Sequence, residues 1–272
     1  MLPQWRDQAS VLFAPRGVTL RLVSRGLRPA ARVTAYPCGE SPGGEPWRAP
    51  LAALGDAMRE LPRGATCRVM VSSCFARYAL VPFSAALVGR KANEVLAAHA
   101  FRHIHGEQAQ VWTCRVAPAP AGDKRLACAL DAALADAIES VARTAGVTLA
   151  AIEPTLTAGF NSARGRLPSS CWFAAVETGR LVLGLLVGGK WAHLAAERCA
   201  GHWEAALARM LSRETLMIAA ESPDGELPCW IARFEAAIDA DPERPEIRRI
   251  AAPGARRGAT AGATAGAEKA TA

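Results

Sequence analysis

Two short turns carry residue types that could manage phosphate and metal. Glu177-Thr178-Gly179 offers a carboxylate beside a glycine, whereas Pro15-Arg16-Gly17 offers no carboxylate. Glycine lets backbone N–H groups approach a phosphate, and carboxylates hold a magnesium ion through its water. Proline removes one of those donors. The plain alternative for each is a hairpin turn. His99 and His103 stand at i, i+4 with His105 close by, which suggests zinc, but residue 100 is alanine where a His-Glu-x-x-His helix needs its base. The histidines are expected opposite the apolar face of their helix. Ser72-Ser73-Cys74 follows a buried run, yet Gly-x-Ser-x-Gly is absent and a strand-like segment follows, so loop serines are the better reading. A two-metal nuclease needs several carboxylates at strand ends, and only Glu153 and Glu177 stand there. No Gly-x-x-x-x-Gly-Lys-Ser/Thr cradle exists. Arg77 and Tyr78 with Trp112 form the aromatic-plus-arginine composition that enriches interface anchors.

The elements that must position these groups follow from periodicity and turn chemistry. Residues 171–176, 181–187 and 191–196 are apolar runs separated by Glu177-Thr-Gly-Arg180 and Gly188-Gly189-Lys190, a three-strand meander. Trp203, Leu207, Met210 and Leu211 then mark a helix. Earlier, 11–14, 18–23 and 31–36 alternate as strands, and 51–61 reads as a helix stopped by Pro62-Arg63-Gly64. Residues 67–71 and 75–83 read as strands. From Ser84 a helix with Ala97, Ala100, Phe101 and Ile104 on one face runs to Gly106. Strands at 111–116 and 126–130 precede a helix capped by Asp131 and ended at Gly146. Residues 147–152 form a strand, and 155–164 a short helix weakened by Gly159, which costs about 1 kcal/mol against alanine. A last hairpin is expected from 216–220 and 227–234 across Ser222–Gly225. From 239 to 272 the chain, ending in Ala, Gly and Thr, is expected to be a disordered tail.

Composition narrows the function classes. Hydrophobic residues make up 51% of the 272, enough for a sizeable core. The net charge is +7, but only four of the 32 basic residues are lysines and no basic block occurs, which argues against a nucleic-acid arm. None of the eight cysteines forms a Cys-x-x-Cys pair, so they read as buried, reduced small hydrophobes. The N-terminus shows no export signal, and the longest apolar run, 181–189, is about half the ~20 residues of a membrane span. A cytoplasmic protein is expected.

A meander closed by a helix resembles the opening of an RNase H-like unit, the module of actin-type ATPases. The full order resembles the actin-like proteins of pilus and secretion assembly: PilM of type IV pili, the cytoplasmic part of the type II secretion L component, and a MSHA-pilus homologue. Three stretches carry it: Ala79–Phe83 with Glu94 through Val116; Leu126–Asn161; and Trp172–Ala196. The resemblance implies an α/β fold of two actin-like lobes, 1–165 with a small subdomain inserted at about 84–125, and a truncated lobe at 166–238. Actin-type sites carry Asp-x-Gly in each lobe. Glu177 is one methylene too long, though Gly179 survives, so no cofactor and no catalysis are expected. The implied role is a non-catalytic scaffold holding the cytoplasmic tail of a single-span inner-membrane protein; contact with a motor ATPase is a second implied role. The tail would lie between 51–83 and 94–116, with Arg77, Tyr78 and Trp112 as anchors. A degenerate nucleotide-binding ATPase is the alternative.

Overall fold

Two strands are apolar along nearly their whole length, and each sits at the centre of a sheet. These are β1 (Gln8–Ala14) and β9 (Cys171–Glu177). A strand buried on both faces shows no alternation, because layers cover it above and below. The computed structural model describes residues 7–24, 30–41, 43–85, 87, 89–218, 227–234 and 245–250.

In the first sheet β1 pairs antiparallel with β2 (Gly17–Val23), which pairs with β3 (Ala31–Pro37). On its other side come the parallel strands β4 (Thr66–Val71) and β8 (Thr148–Pro154), giving the order β3-β2-β1-β4-β8. Helices α1 (Arg48–Arg59) and α3 (Ala132–Thr144) cover one face through Leu54, Met58, Leu134 and Ile138. Asp131 caps α3 by accepting from the Ala133 amide at 2.9 Å. The second sheet repeats the plan. Strands β10 (Gly179–Val187) and β11 (Lys190–Cys199) complete the meander, and α5 (Trp203–Met217) leads to β12 (Cys229–Phe234), parallel to β9. Its order is β11-β10-β9-β12-β13, where β13 is Glu246–Ile250.

Alternation along β9 divides the second lobe's core. Trp172, Ala174 and Val176 face α5, while Phe173 and Ala175 face the first lobe. There they meet Leu12 and Met70, with α4 (Thr155–Ala163) adding Leu156 and Ala163 between the sheets. A third sheet, order β5-β7-β6, joins β5 (Arg77–Val81), β7 (Arg125–Asp131) and β6 (Trp112–Val116). Helix α2 (Arg90–His105) packs on it through Ala97 and Phe101.

Four expectations change. The segment 216–220 is no strand up to residue 218: α5 continues through Leu216 and Met217 because Leu207, Met210, Leu211 and Glu214 keep helical spacing on its buried face. Residues 227–234 then form no hairpin with it, and β12 is a central strand between β9 and β13. The strand expected at 75–83 joins the small sheet rather than the first lobe's, so that sheet takes flanking strands from both sides of the 84–125 insertion. Within the expected tail, 246–250 forms edge strand β13, held by Ile247 and Ile250 against two cores and by the Arg248 guanidinium 5.0 Å over the Trp203 ring. Residues 251–272 lie outside the described residues. Finally, Ile104 is exposed rather than packed with Phe101.

Gly159 reverses its sequence reading. A Cβ there would lie 2.7 Å from the Ala232 Cβ and 3.1 Å from the Phe234 ring, so glycine lets α4 approach β12. Gly159→Ala gains about 1 kcal/mol of helix propensity but incurs overpacking of roughly 1–3 kcal/mol. The expected outcome is a lower urea midpoint; a raised midpoint would refute this close approach.

Candidate functional site

The two turns singled out from sequence do come together. Pro15 and Arg16 follow β1, Glu177 ends β9, and both turns line one cavity of about 520 Å³ with Ser72, Cys74 and Phe234. The first turn holds Gly17 at φ 149°, where a Cβ would lie 2.5 Å from the Tyr36 carbonyl oxygen of β3. Glycine there serves strand packing. Gly179, at φ +87°, sits in the left-handed region that favours glycine.

Glu177 does not face this cavity as a free ligand. Its side chain crosses to the first lobe and is only 7% exposed. Oε1 and Oε2 accept from the Ser73 amide at 2.9 and 3.2 Å, and Oε1 accepts from the Thr155 hydroxyl at 2.6 Å. Ser73 Oγ stands 2.9 Å from both Thr155 Oγ1 and Tyr78 Oη. Four residues from β9, the β4–β5 turn, β5 and the start of α4 therefore close one network across the seam. Burial, and next the Glu177 charge, pushes the Tyr78 phenol above its ordinary range. Hydrogen bonds to an ionised group are short and strong, and here they cover both carboxylate oxygens. These three contacts take up most of the carboxylate's acceptor capacity.

Sequence reasoning took Ser73 for a loop serine and Thr155 for the first residue of a short helix, with no tie between them. The signal was small hydroxyl residues where two buried strands end, at Val71-Ser72-Ser73 and Pro154-Thr155, opposite a carboxylate at a third strand end. Pairing them required the sheets' relative placement.

The expected anchor residues do not form one patch. Arg77 pairs with Ala129 and Trp112 with Asp131, which puts both on the α2 face of the small sheet. Tyr78 points the other way, into the seam. Trp112 packs edge-on against His105, with ring centroids 5.1 Å apart, and against Phe101 at 6.2 Å. His105 is thus part of this aromatic cluster and not on the solvent face expected for the three histidines. His99 and His103 are exposed. Among the described residues no group of three His, Cys, Asp or Glu could hold a metal. All eight cysteines are free, and burial pushes the Cys67 and Cys229 thiols up to about 12.

A second concavity, of about 440 Å³, lies between the first lobe and the small subdomain. Strand β8 is an edge strand, and residues 149–152 line the groove consecutively, which shows the approach is to the strand's edge and not to one face. Thr113 and Arg115 of β6 and Cys128 of β7 form the opposite wall. On α3, Ala132 and Ala135 leave room, while Asp136 and Glu139 are exposed without an ion-pair partner among the described residues. Arg115 is engaged by Glu94 at 3.3 Å. Of the segments 51–83 and 94–116 expected to flank a groove, Val71 on one side and Thr113 and Arg115 on the other line this concavity, and α3 and β8 supply most of the remaining wall.

The chain matches no protein-family model and no curated protein by sequence. Solved structures do resemble it. The cytoplasmic domain of EpsL, an inner membrane component of the type II secretion system of Vibrio cholerae, matches with TM-score 0.53 and 10% identity, covering 84% of this chain and 83% of its own. The PilM–PilN type IV pilus biogenesis complex gives 0.53 at 18% identity, over 80% of this chain and 68% of that one. A Bacteroides thetaiotaomicron protein with an actin-like ATPase fold and unknown function also gives 0.53, at 11% identity over 80% of each chain. The fold is actin-like, with two mixed α/β lobes.

Removing the seam carboxylate tests the network. Glu177→Ala leaves the Ser73 amide and Thr155 hydroxyl without their acceptor, and each hydrogen bond to a charged group is worth about 1.5–3 kcal/mol. The expected loss in chemical denaturation is roughly 2–3 kcal/mol. Glu177→Gln should lose less, since it keeps an acceptor; equal stability of Ala and wild type would refute the clamp.

Proposed function

We propose that this chain is a non-catalytic scaffold of a type IV pilus or type II secretion-like assembly. It holds the cytoplasmic tail of an inner-membrane partner in the groove between β8 and the small subdomain. The observation that carries this reading is the open β8 edge, presented along residues 149–152 inside a concave, partly apolar groove. An extended segment adds to such an edge through main-chain hydrogen bonds, and wall pockets select its side chains. Asp136 and Glu139 favour a basic residue in that segment. The EpsL domain belongs to an inner membrane component and PilM is found with PilN, which supports a membrane-linked partner here. Among the described residues no helix is long and apolar enough to cross a membrane, so attachment would come through that partner. Cytoplasmic placement belongs to the same proposal, as does contact with a motor ATPase. The alternative, a degenerate nucleotide-binding ATPase, is favoured only by the cavity that survives between the two turns. Against it stand Pro15 and the engagement of Glu177 by Ser73 and Thr155.

Two measurements test this. The gene product encoded beside this one, if it has a single membrane span, should co-purify with the wild-type chain. Ala135→Trp, which fills the groove, and the Asp136→Lys/Glu139→Lys double variant should lose it, with thermal stability changed by no more than about 1 kcal/mol for the exposed pair. Unchanged co-purification rejects the groove. Separately, millimolar ATP with Mg²⁺ should move the melting temperature no further than the same concentration of inorganic phosphate; a saturable rise beyond that would favour the ATPase reading.

A further inference from the structure

Beyond the seam network and the groove, three arginines gather without a salt-bridge partner among the described residues. Arg180 of β10 and Arg198 of β11 are direct cross-strand neighbours, and Arg180 is also opposite Glu177 on β9. Their side chains therefore share the inner face of the second sheet, at the end where Glu177 crosses to the first lobe. Like charges directly opposite on antiparallel strands destabilise the pair. Strand β11 packs on β5, and Arg77 donates to the carbonyl of Cys74, whose Sγ lies 3.8 Å from the Thr178 carbonyl oxygen, two residues before Arg180. The carboxylates nearby are already engaged. Glu177 accepts from Ser73 and Thr155, and Glu197 is 3.1 Å from Arg213.

The guanidinium groups keep most of their donors. Arg180 Nε is buried with no hydrogen-bond partner among the described residues. Arg77 Nη1 donates only to the Cys74 and Ala76 carbonyls, at 3.1 and 2.9 Å. Arg198 is exposed and has no ion-pair partner among the described residues. A buried donor left unmade costs free energy, so three guanidiniums held together this way call for an acceptor. Burial, then Arg180, lowers the Arg77 pKa, and burial, then Arg77 and Arg180, lowers that of His105. His105 thus adds little positive charge of its own.

We propose that Arg77, Arg180 and Arg198 form a binding site for a phosphoryl group where β5 of the small subdomain meets β11 of the second lobe. A planar guanidinium offers a fork that matches phosphate oxygens two at a time. A dianion with three acceptor oxygens can engage several such forks, whereas a single carboxylate leaves at least one without a partner. Arg198 leaves the site open to solvent, so the group can arrive on a larger ligand. The site is independent of the β8 groove and does not rest on the scaffold reading.

The test is thermal unfolding of the full chain in rising inorganic phosphate, with chloride matched for ionic strength. Wild type should show a saturable rise, about 3–6 °C at ten times the dissociation constant, which chloride does not reproduce. Arg180→Gln/Arg198→Gln should melt higher than wild type without phosphate, because the cross-strand repulsion is gone, and should lose the phosphate increment. Arg198→Gln alone, at an exposed position, gives the same pattern in weaker form should the double variant not fold. An equal increment in wild type and variants, or one matched by chloride, overturns the site. Flotation with vesicles of phosphatidylglycerol against phosphatidylcholine identifies the source. Arginine-dependent flotation assigns a lipid headgroup, and a phosphate response without flotation assigns a soluble phosphoryl ligand.

Discussion

The carboxylate of Glu177 is held where two lobes, a small sheet and a connecting helix all meet. It accepts from Ser73 and Thr155, and Tyr78 joins the same network through Ser73. Around it lies a core drawn from both sheets, with Leu12 and Met70 on one side and Phe173, Ala175 and Val182 on the other. Burying an ionised group is costly unless its acceptors are satisfied, so these partners must all be in place together. A polar network and an apolar one therefore join the lobes at a single point.

Close approach of the layers depends on small residues. Gly159 lets α4 reach β12, and Gly184 accommodates the Trp191 ring, which would lie 2.2 Å from a Cβ at that position. Ala174, Ala175 and Ala232 are fully buried in the second lobe. These alanines bring sheets and helices close together. Short side chains sacrifice buried area per residue but permit dense packing between layers.

Much of this arrangement was legible beforehand. The meander at 171–199, the α3 cap at Asp131 and its end at Gly146 follow from turn chemistry and helical spacing, which are local. The resemblance to actin-like assembly proteins rested on element order, and the solved structures bear out that fold. Partner choice between strands was harder. Nothing in 75–83 says that β5 pairs with β7 and leaves β8 as an open edge, and nothing local distinguishes a hairpin at 227–234 from a central strand. Strand β13 escaped because two isoleucines in an otherwise polar stretch carry little signal until β12 supplies its ladder.

The candidate sites divide along the same line. Sequence alone determined what the two turns offer: Pro15 lacks an N–H donor, and Glu177 sets a carboxylate beside Gly179. It also determined that charge is carried by scattered arginines. Only the tertiary structure decided that Glu177 bonds Ser73, 104 positions away, that Arg180 faces Arg198, and that Arg77 and Tyr78 point to opposite faces. The reason is physical. Residue type sets what a group can donate or accept, but an interaction needs a partner within about 3 Å, and only sheet pairing and packing across the chain set that distance.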